Sequence, residues 1–356
     1  MKSRAQRIIE EAGLGQHEAI YLTKPSNMFY VSGYTGEGAT VIGHGFCAIV
    51  TDFRYTEQVT RQAPGFEALE IKTGQSHAAL AFEYLKDHGV NSVRFEADQV
   101  TVRAYERMKH DMPGVTFSEL RGEAEKVRRI KEPSELELIR QACAISCEAL
   151  DHILPEIKEG MTETDIRIML EFEMLKLGAD GLAFDTIVAS GENGSLCHAI
   201  PGPRKLRKGD MITMDFGAKK GGYCADMTRT VALGEPGAEL KKIYGIVLNA
   251  QQTAQDALKA GLVASDVDAI ARGIIAEAGY GKYFGHGLGH SVGIDIHESP
   301  RLSPTCQDIL TENTTMTVEP GIYVPGIGGV RIENTCVIGA DASETLVCFT
   351  KDLLIL

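Results

Sequence analysis

Four carboxylates in this chain share one spacing. Asp215 in "TMDFG" (213–217) and Glu319 in "TVEPG" (317–321) each stand two residues after a threonine and two before a glycine. Asp226 in "ADMT" and Glu333 in "IENT" each precede another threonine by two. Singly, any of these acids reads as a strand-end or turn residue. Together they are either the accident of two acidic hairpins or one site built from two halves. Like charges held side by side are destabilising unless a cation lies among them or one of them keeps a proton. A cluster of this kind asks for metal.

Two hairpins are the elements that would position the acids. "GDMITMDFGAKKGGYCADMTRTVAL" has two β-rich arms around a turn sequence. Centring that turn on Lys220–Gly221 puts Asp215 opposite Asp226 and Thr213 opposite Thr228. In the second hairpin, centring "PGIGG" on Gly326 puts Glu319 opposite Glu333 and Thr317 opposite Thr335, with Pro320 interrupting the ladder. If a pseudo-twofold relates the halves, both acid pairs project into one space, and their charge suits two divalent ions. A fifth ligand is expected from "YFGHGLGHSVGIDIHESPR" (283–301), where His286, His290 and His297 are spaced to reach one site. Its glycines make no phosphate loop, because no Lys-Ser/Thr follows, and no His-Glu-x-x-His marks a zincin helix.

A longer echo surrounds the hairpins. "IKEGMTETDIRIMLEFEMLKLGA" (157–179) lies over "LKAGLVASDVDAIARGIIAEAGY" (258–280) without a gap, matching Gly160 with Gly261 and Gly178 with Gly279. Each copy reads as a turn, a helix and a glycine suited to the left-handed position past its end. The chain is therefore expected to be α/β (α+β). An α/β domain covers 1–122, a charged linker 123–133, and a domain of two facing copies 134–356. Ser134 and Glu137 have the spacing of a capping box, opening a helix whose buried face carries Leu136, Ile139, Cys143, Cys147 and Leu150.

Composition narrows the function. A net charge of −13 argues against nucleic-acid binding, which would need a basic stripe. No run has transmembrane length and the start lacks an apolar signal stretch, so no membrane partner and a cytoplasmic location are expected. No Cys-x-x-Cys occurs among the eight cysteines, which read as reduced thiols.

Asp215, Asp226, His290, Glu319 and Glu333, in this order and with these flanks, resemble the dimetal site of the pita-bread metallopeptidases. "SNMFYVSGYTGEGA" and "TDFRYTEQ" resemble the creatinase-like N-terminal domain of the Xaa-Pro peptidases, and "RRIKEPSELELIRQA" their interdomain helix. The match runs over nearly the whole chain. One flank departs: "SLCHAIPG" has Cys197 where proline often precedes the histidine.

The resemblance implies an Xaa-Pro aminopeptidase with two divalent ions, manganese or cobalt given the oxygen-rich ligands. Asp226 and Glu333 would touch both ions, Asp215 one, and His290 with Glu319 the other. Glu319 would also act as general base, and His198 and His297 would stabilise the tetrahedral intermediate. His286 either supports the site or packs its loop. Tyr323 shares a strand face with Glu319 and either reaches the site or belongs to the core. Arg331 shares a face with Glu333 and either neutralises a ligand carboxylate or lies on the surface. The substrate would be a peptide with proline second, and the enzyme a homodimer whose glycine-rich loop around Tyr34–Ala39 forms a lip at the entrance. An Xaa-Pro dipeptidase is the alternative, although "YTGEGA" and "TDFRYTEQ" resemble the short bacterial aminopeptidase P type more. A metal-free relative of the same fold would have no need of the five ligands. A methionine aminopeptidase would lack the long N-terminal domain.

Overall fold

Apolar runs in the first 120 residues become the centre of a mixed sheet in a computed structural model that describes residues 2–356. The chain divides into two units, the first ending at Arg128 and the second spanning Arg129–Leu356. In the first unit the strands are β1 (Glu18–Leu22), β2 (Ala39–Gly43), β3 (Phe46–Thr51), β4 (Glu67–Glu70), β5 (Ser92–Glu96) and β6 (Thr116–Leu120). Their order is β4-β3-β2-β1-β5-β6. β1, β2 and β3 pair antiparallel, and β4, β5 and β6 join in parallel. β2 is buried at every residue, so it reads as an unbroken apolar run rather than an alternation. β4 and β6 at the edges are mostly exposed and carry Glu67, Glu70 and Glu119. Charged edges discourage further strand pairing.

The charged stretch 123–133, expected as a linker, is largely helical from Glu123 to Arg129 and is tied down. Buried Arg128 donates to Ser26 Oγ and Asn27 Oδ1 at 3.0 and 2.6 Å. Lys131, also buried, lies 3.0 Å from Glu298 and donates to Ser291 Oγ at 3.2 Å. The charges mark anchoring rather than solvation. The capping box differs too. The next helix, Pro133–Ile153, is capped by Glu132, whose N–H donates to Glu135 at 2.8 Å. Proline takes the first helical position, where its fixed φ fits and its missing N–H costs nothing. Ser134 therefore lies inside the first turn. The expected apolar face of this helix is buried at all five positions.

The echo in the second unit is repeated in backbone detail. Helices Glu163–Lys176 and Ala264–Glu277 each have 14 residues. Gly178 and Gly279 lie past their ends at φ 96° and 88°, and Gly160 and Gly261 lie before their starts at 90° and 87°. The N–H groups of Ala179 and Tyr280 reach back to the carbonyls of Met174 and Ile275 at 3.1 and 3.0 Å, the same closing bond in both copies. The longer helices Pro133–Ile153 and Ala238–Ala257 precede them.

A test of this glycine code follows at Gly279, where an added Cβ would meet nothing within 4 Å. Gly279→Ala is expected to destabilise by about 1–2 kcal/mol through the left-handed backbone alone. Urea unfolding measures it, and an unchanged midpoint would mean that the glycine is not needed for its turn.

Candidate metal centre

The first hairpin folds in a register two residues from the expected one. Strands Met211–Phe216 and Met227–Ala232 pair Asp215 with Thr228 and Thr213 with Thr230. The turn falls on Gly221–Gly222, at φ 56° and 85°. Two-residue hairpin turns of this hand want both central residues left-handed, so Gly-Gly wins over Lys-Gly. Asp226 then lies in the break before Met227, at the level of Gly217. A side chain on Gly217 would collide with the Ala225 carbonyl oxygen. The second hairpin keeps the expected register. Thr317 faces Thr335, and Gly321 faces Arg331 beyond the interruption at Pro320. Glu319 and Glu333 therefore share one level.

The repeated threonines join the two hairpins. Thr228 Oγ1 donates to Glu333 Oε2 at 2.7 Å, and Thr335 Oγ1 donates to the Asp226 carbonyl at 2.7 Å. Thr317 Oγ1 donates to Glu319 Oε1 at 3.1 Å while accepting from the His290 N–H at 3.0 Å. Three of the four acid-bearing arms thus carry a hydroxyl that fixes a ligand or its backbone, while on the Asp215 arm the Thr213 hydroxyl meets that of Thr230 at 2.9 Å.

All five expected ligands meet. Asp215, Asp226 and Glu333 offer oxygens within 4.8 Å of one another. His290 Nε2 lies 3.3 Å from Glu319 Oε1 and 3.6 Å from Asp226 Oδ2. Nδ1 of His290 lies 3.1 Å from the Ser291 carbonyl and must be the donor there. In the neutral ring Nε2 therefore turns a lone pair toward two carboxylates, an arrangement that needs a proton or a cation between them. Among the described residues, Asp215 Oδ1 and Glu333 Oε1 are buried without a hydrogen-bond partner. Unbonded buried carboxylate oxygens beside an imidazole lone pair fit divalent metal.

The electrostatics agree with that fit. Asp226 and Glu333 are pushed well above the carboxylate range, by burial first and then by neighbouring acids. Burial also raises Asp215, against the pull of Arg331. Burial opposes ionisation of Glu319 as well, but the His290 hydrogen bond, the charges of His290 and His286 when those rings are protonated, and Arg331 outweigh it and bring it to about 2. Glu319 is the acid that stays charged without metal.

Arg331 is buried and donates to Asp215 Oδ2 at 2.6 Å, to Tyr323 Oη at 2.9 Å and to the Cys197 carbonyl at 3.2 Å. Tyr323 lies 2.9 Å from His286 Nε2, whose Nδ1 lies 2.8 Å from the Gly287 carbonyl. Burial lowers the His286 pKa, leaving the ring neutral with Nδ1–H as donor. Tyr323, raised to about 12 by burial, therefore donates its proton to Nε2. His297 packs edge-on against His290 with ring centres 4.5 Å apart, and burial with the His290 charge lowers its pKa. A cavity of about 360 Å³ opens over the acids, with His198, His286 and His297 in its wall. Sequence reasoning gave no role to Arg301 or to apolar Phe184, Ile187 and Ile296, which also line it. The one available signal was Arg301 at the end of the histidine-rich stretch; it pairs across strands with His290.

The chain is similar to known metallopeptidases. Residues 137–340 match the model of metallopeptidase family M24, and residues 2–130 that of the creatinase/prolidase N-terminal domain. An Xaa-Pro dipeptidase of Pyrococcus horikoshii is 34% identical, covering 99% of each chain. Among solved structures, an Xaa-Pro dipeptidase from Bacillus anthracis superposes with a TM-score of 0.95 at 38% identity, covering 99% of each chain. An X-Pro aminopeptidase from Thermotoga maritima gives 0.91 at 35% identity, covering 98% of this chain and 100% of that one.

Burial and the neighbouring acids favour the protonated forms of Asp226 and Glu333 without metal, so loading is expected to release protons. Calorimetric titration of the apoprotein with Mn²⁺ in buffers of different ionisation enthalpy should show net proton release. Binding without proton release would contradict the protonated pair.

Proposed function

The chain belongs to metallopeptidase family M24, with a creatinase/prolidase N-terminal domain, and from that premise we propose that it is a metallo-exopeptidase cleaving the bond between an N-terminal residue and a following proline. The observation that carries this reading is the convergence of Asp215, Asp226 and Glu333 within 4.8 Å, beside His290 and Glu319. These five would hold two divalent ions, and their oxygen-dominated set favours manganese or cobalt over zinc. Bound there, the ions supply a polarised scissile carbonyl and an acidified water.

The chain's own residues do the rest. Glu319, held ionised, accepts the proton of the attacking water. His297, kept neutral by its surroundings, and His198 donate to the carbonyl oxygen as negative charge gathers on it. Arg331 fixes Asp215 and, through Tyr323, the neutral His286. Glu319→Gln should abolish turnover. His297→Ala should keep its full metal content while kcat falls on the order of 100-fold. Loss of metal from the His297 variant would move that residue into the ligand set.

We propose cleavage of longer peptides as the main activity. A dipeptidase reading is favoured by one observation: Arg301 lies in the cavity wall and, among the described residues, makes no ion pair with a carboxylate. A guanidinium so placed suits the free carboxylate of an Xaa-Pro dipeptide. Xaa-Pro-Xaa hydrolysis exceeding Xaa-Pro hydrolysis supports the aminopeptidase. If the dipeptide wins, Arg301→Ala should raise its KM roughly tenfold or more and leave tripeptides unaffected.

We place the enzyme in the cytoplasm, supported by eight free cysteines suited to a reducing compartment, and propose a homodimer. Helix Glu163–Lys176 exposes Ile168, Phe172 and Leu175, where its echo has Ala269, Gly273 and Ala276. Sedimentation at the 38.6 kDa of one chain would remove the dimer.

A further inference from the structure

Glu163 opens the helix Glu163–Lys176 and is fully buried. A carboxylate at that depth requires partners, and all of them lie in one loop. Its Oε1 accepts from the Ser190 N–H and hydroxyl at 2.8 and 2.7 Å and from the Asn193 amide at 3.1 Å. Its Oε2 accepts from Asn193 at 3.2 Å and from the Gly202 N–H at 3.1 Å. Ser190 and Gly202 are the two ends of the loop that carries Cys197 and His198 to the cavity wall. The Thr164 hydroxyl, next in the chain, donates to the carbonyls of Pro201 and Gly202 at 3.2 and 3.1 Å. Arg204 adds a bond to the Ser190 hydroxyl at 2.8 Å.

The loop is also seated at its middle. Gly194 meets Gly329 of the second hairpin so closely that a Cβ on Gly329 would lie 2.0 Å from the Gly194 carbonyl oxygen. Arg331 holds the Cys197 carbonyl. His198 itself is exposed, so the backbone that carries it sets its place. The echoed helix has buried Ala264 where this one has Glu163. An acid at this point is therefore not something the fold demands of both copies.

We propose that Glu163 is a positioning residue for peptide hydrolysis: it clamps both ends of the 190–202 loop and so places His198 against the scissile carbonyl. This rests on the role proposed above for His198. Glu163→Gln sets an amide N–H₂ against the donors that the carboxylate satisfies. Asn193→Ala removes one clamp bond from the loop side alone. Both would be measured as holoenzymes, for metal content, unfolding midpoint, kcat and KM, alone and combined with His198→Ala. Glu163→Gln is expected to retain metal and to lower kcat on the order of 10- to 100-fold with little change in KM, since misplaced catalytic groups cost about that much. On the His198→Ala background it should cost almost nothing further, because both changes remove one contribution. Full multiplication of the two losses, or an unchanged kcat, would overturn the proposal. If Glu163→Gln does not fold, the Asn193→Ala cycle decides by the same two outcomes. A silent His198→Ala would instead sink the role of His198 itself, an outcome distinct from failure of the clamp.

Discussion

Four carboxylates withdrawn from water into one small volume set the terms for the second unit. Each uncompensated buried charge costs several kcal/mol even after relaxation. The basic groups available to offset them are Arg331, bonded to Asp215, and His290, beside Glu319. For Asp226 and Glu333 the relief from His290, Thr228 and Arg331 is only partial, and burial with the neighbouring acids favours their protonated forms. Such a cluster persists only where the surrounding backbone gives the acids nowhere else to go. Thr228 and Thr335 supply that restraint by bonding across the hairpins, so neither strand can slide away without breaking a buried hydrogen bond. The site is a place of stored repulsion, held by β-structure and suited to cations.

Much of this was legible in the sequence because periodic signals are local. The gapless echo of 157–179 in 258–280 became two helices of equal length with matched left-handed glycines, since those positions depend on backbone conformation and little else. The convergence of the candidate ligands was legible for a related reason: Thr-x-acid-x-Gly places a hydroxyl, an acid and a close backbone approach on one short strand. The register of the first hairpin was not. Lys220–Gly221 and Gly221–Gly222 both look like turns, and only the requirement for two left-handed residues separates them. That choice moved Asp226 off its expected position opposite Asp215 and into a break in the strand, where its side chain approaches the cluster at a diagonal.

The other differences come from tertiary partners that no spacing reveals. A run of charges reads as solvated unless each charge has a buried partner far along the chain, as Arg128 has in Asn27 and Lys131 in Glu298. Arg301 and the apolar cavity wall of Phe184, Ile187 and Ile296 come from separate segments, assembled only when the sheets close. Arg331 was open between two readings for the same cause. Its four side-chain hydrogen bonds go to residues 8, 103, 116 and 134 positions away.

Symmetry explains the scaffold, and departures from it explain the chemistry. Two copies of helix, helix and hairpin supply equivalent acids: Asp215 corresponds to Glu319, and Asp226 to Glu333. A site with that twofold alone would meet a peptide equally well in either direction. Peptides have direction, so an exopeptidase must break the symmetry of its own site. The chain does so with its cations and loops. Arg331, two residues before Glu333, corresponds to Cys224, two residues before Asp226, so the buried guanidinium that bonds Asp215 has no counterpart at the matching position of the first hairpin. His290 lies by Glu319 on the other side. Glu163 clamps the loop bearing His198, whereas Ala264 in the echoed helix has no side chain that could clamp anything. The repeated carboxylates create the demand for metal, and the unrepeated residues give the site a front and a back.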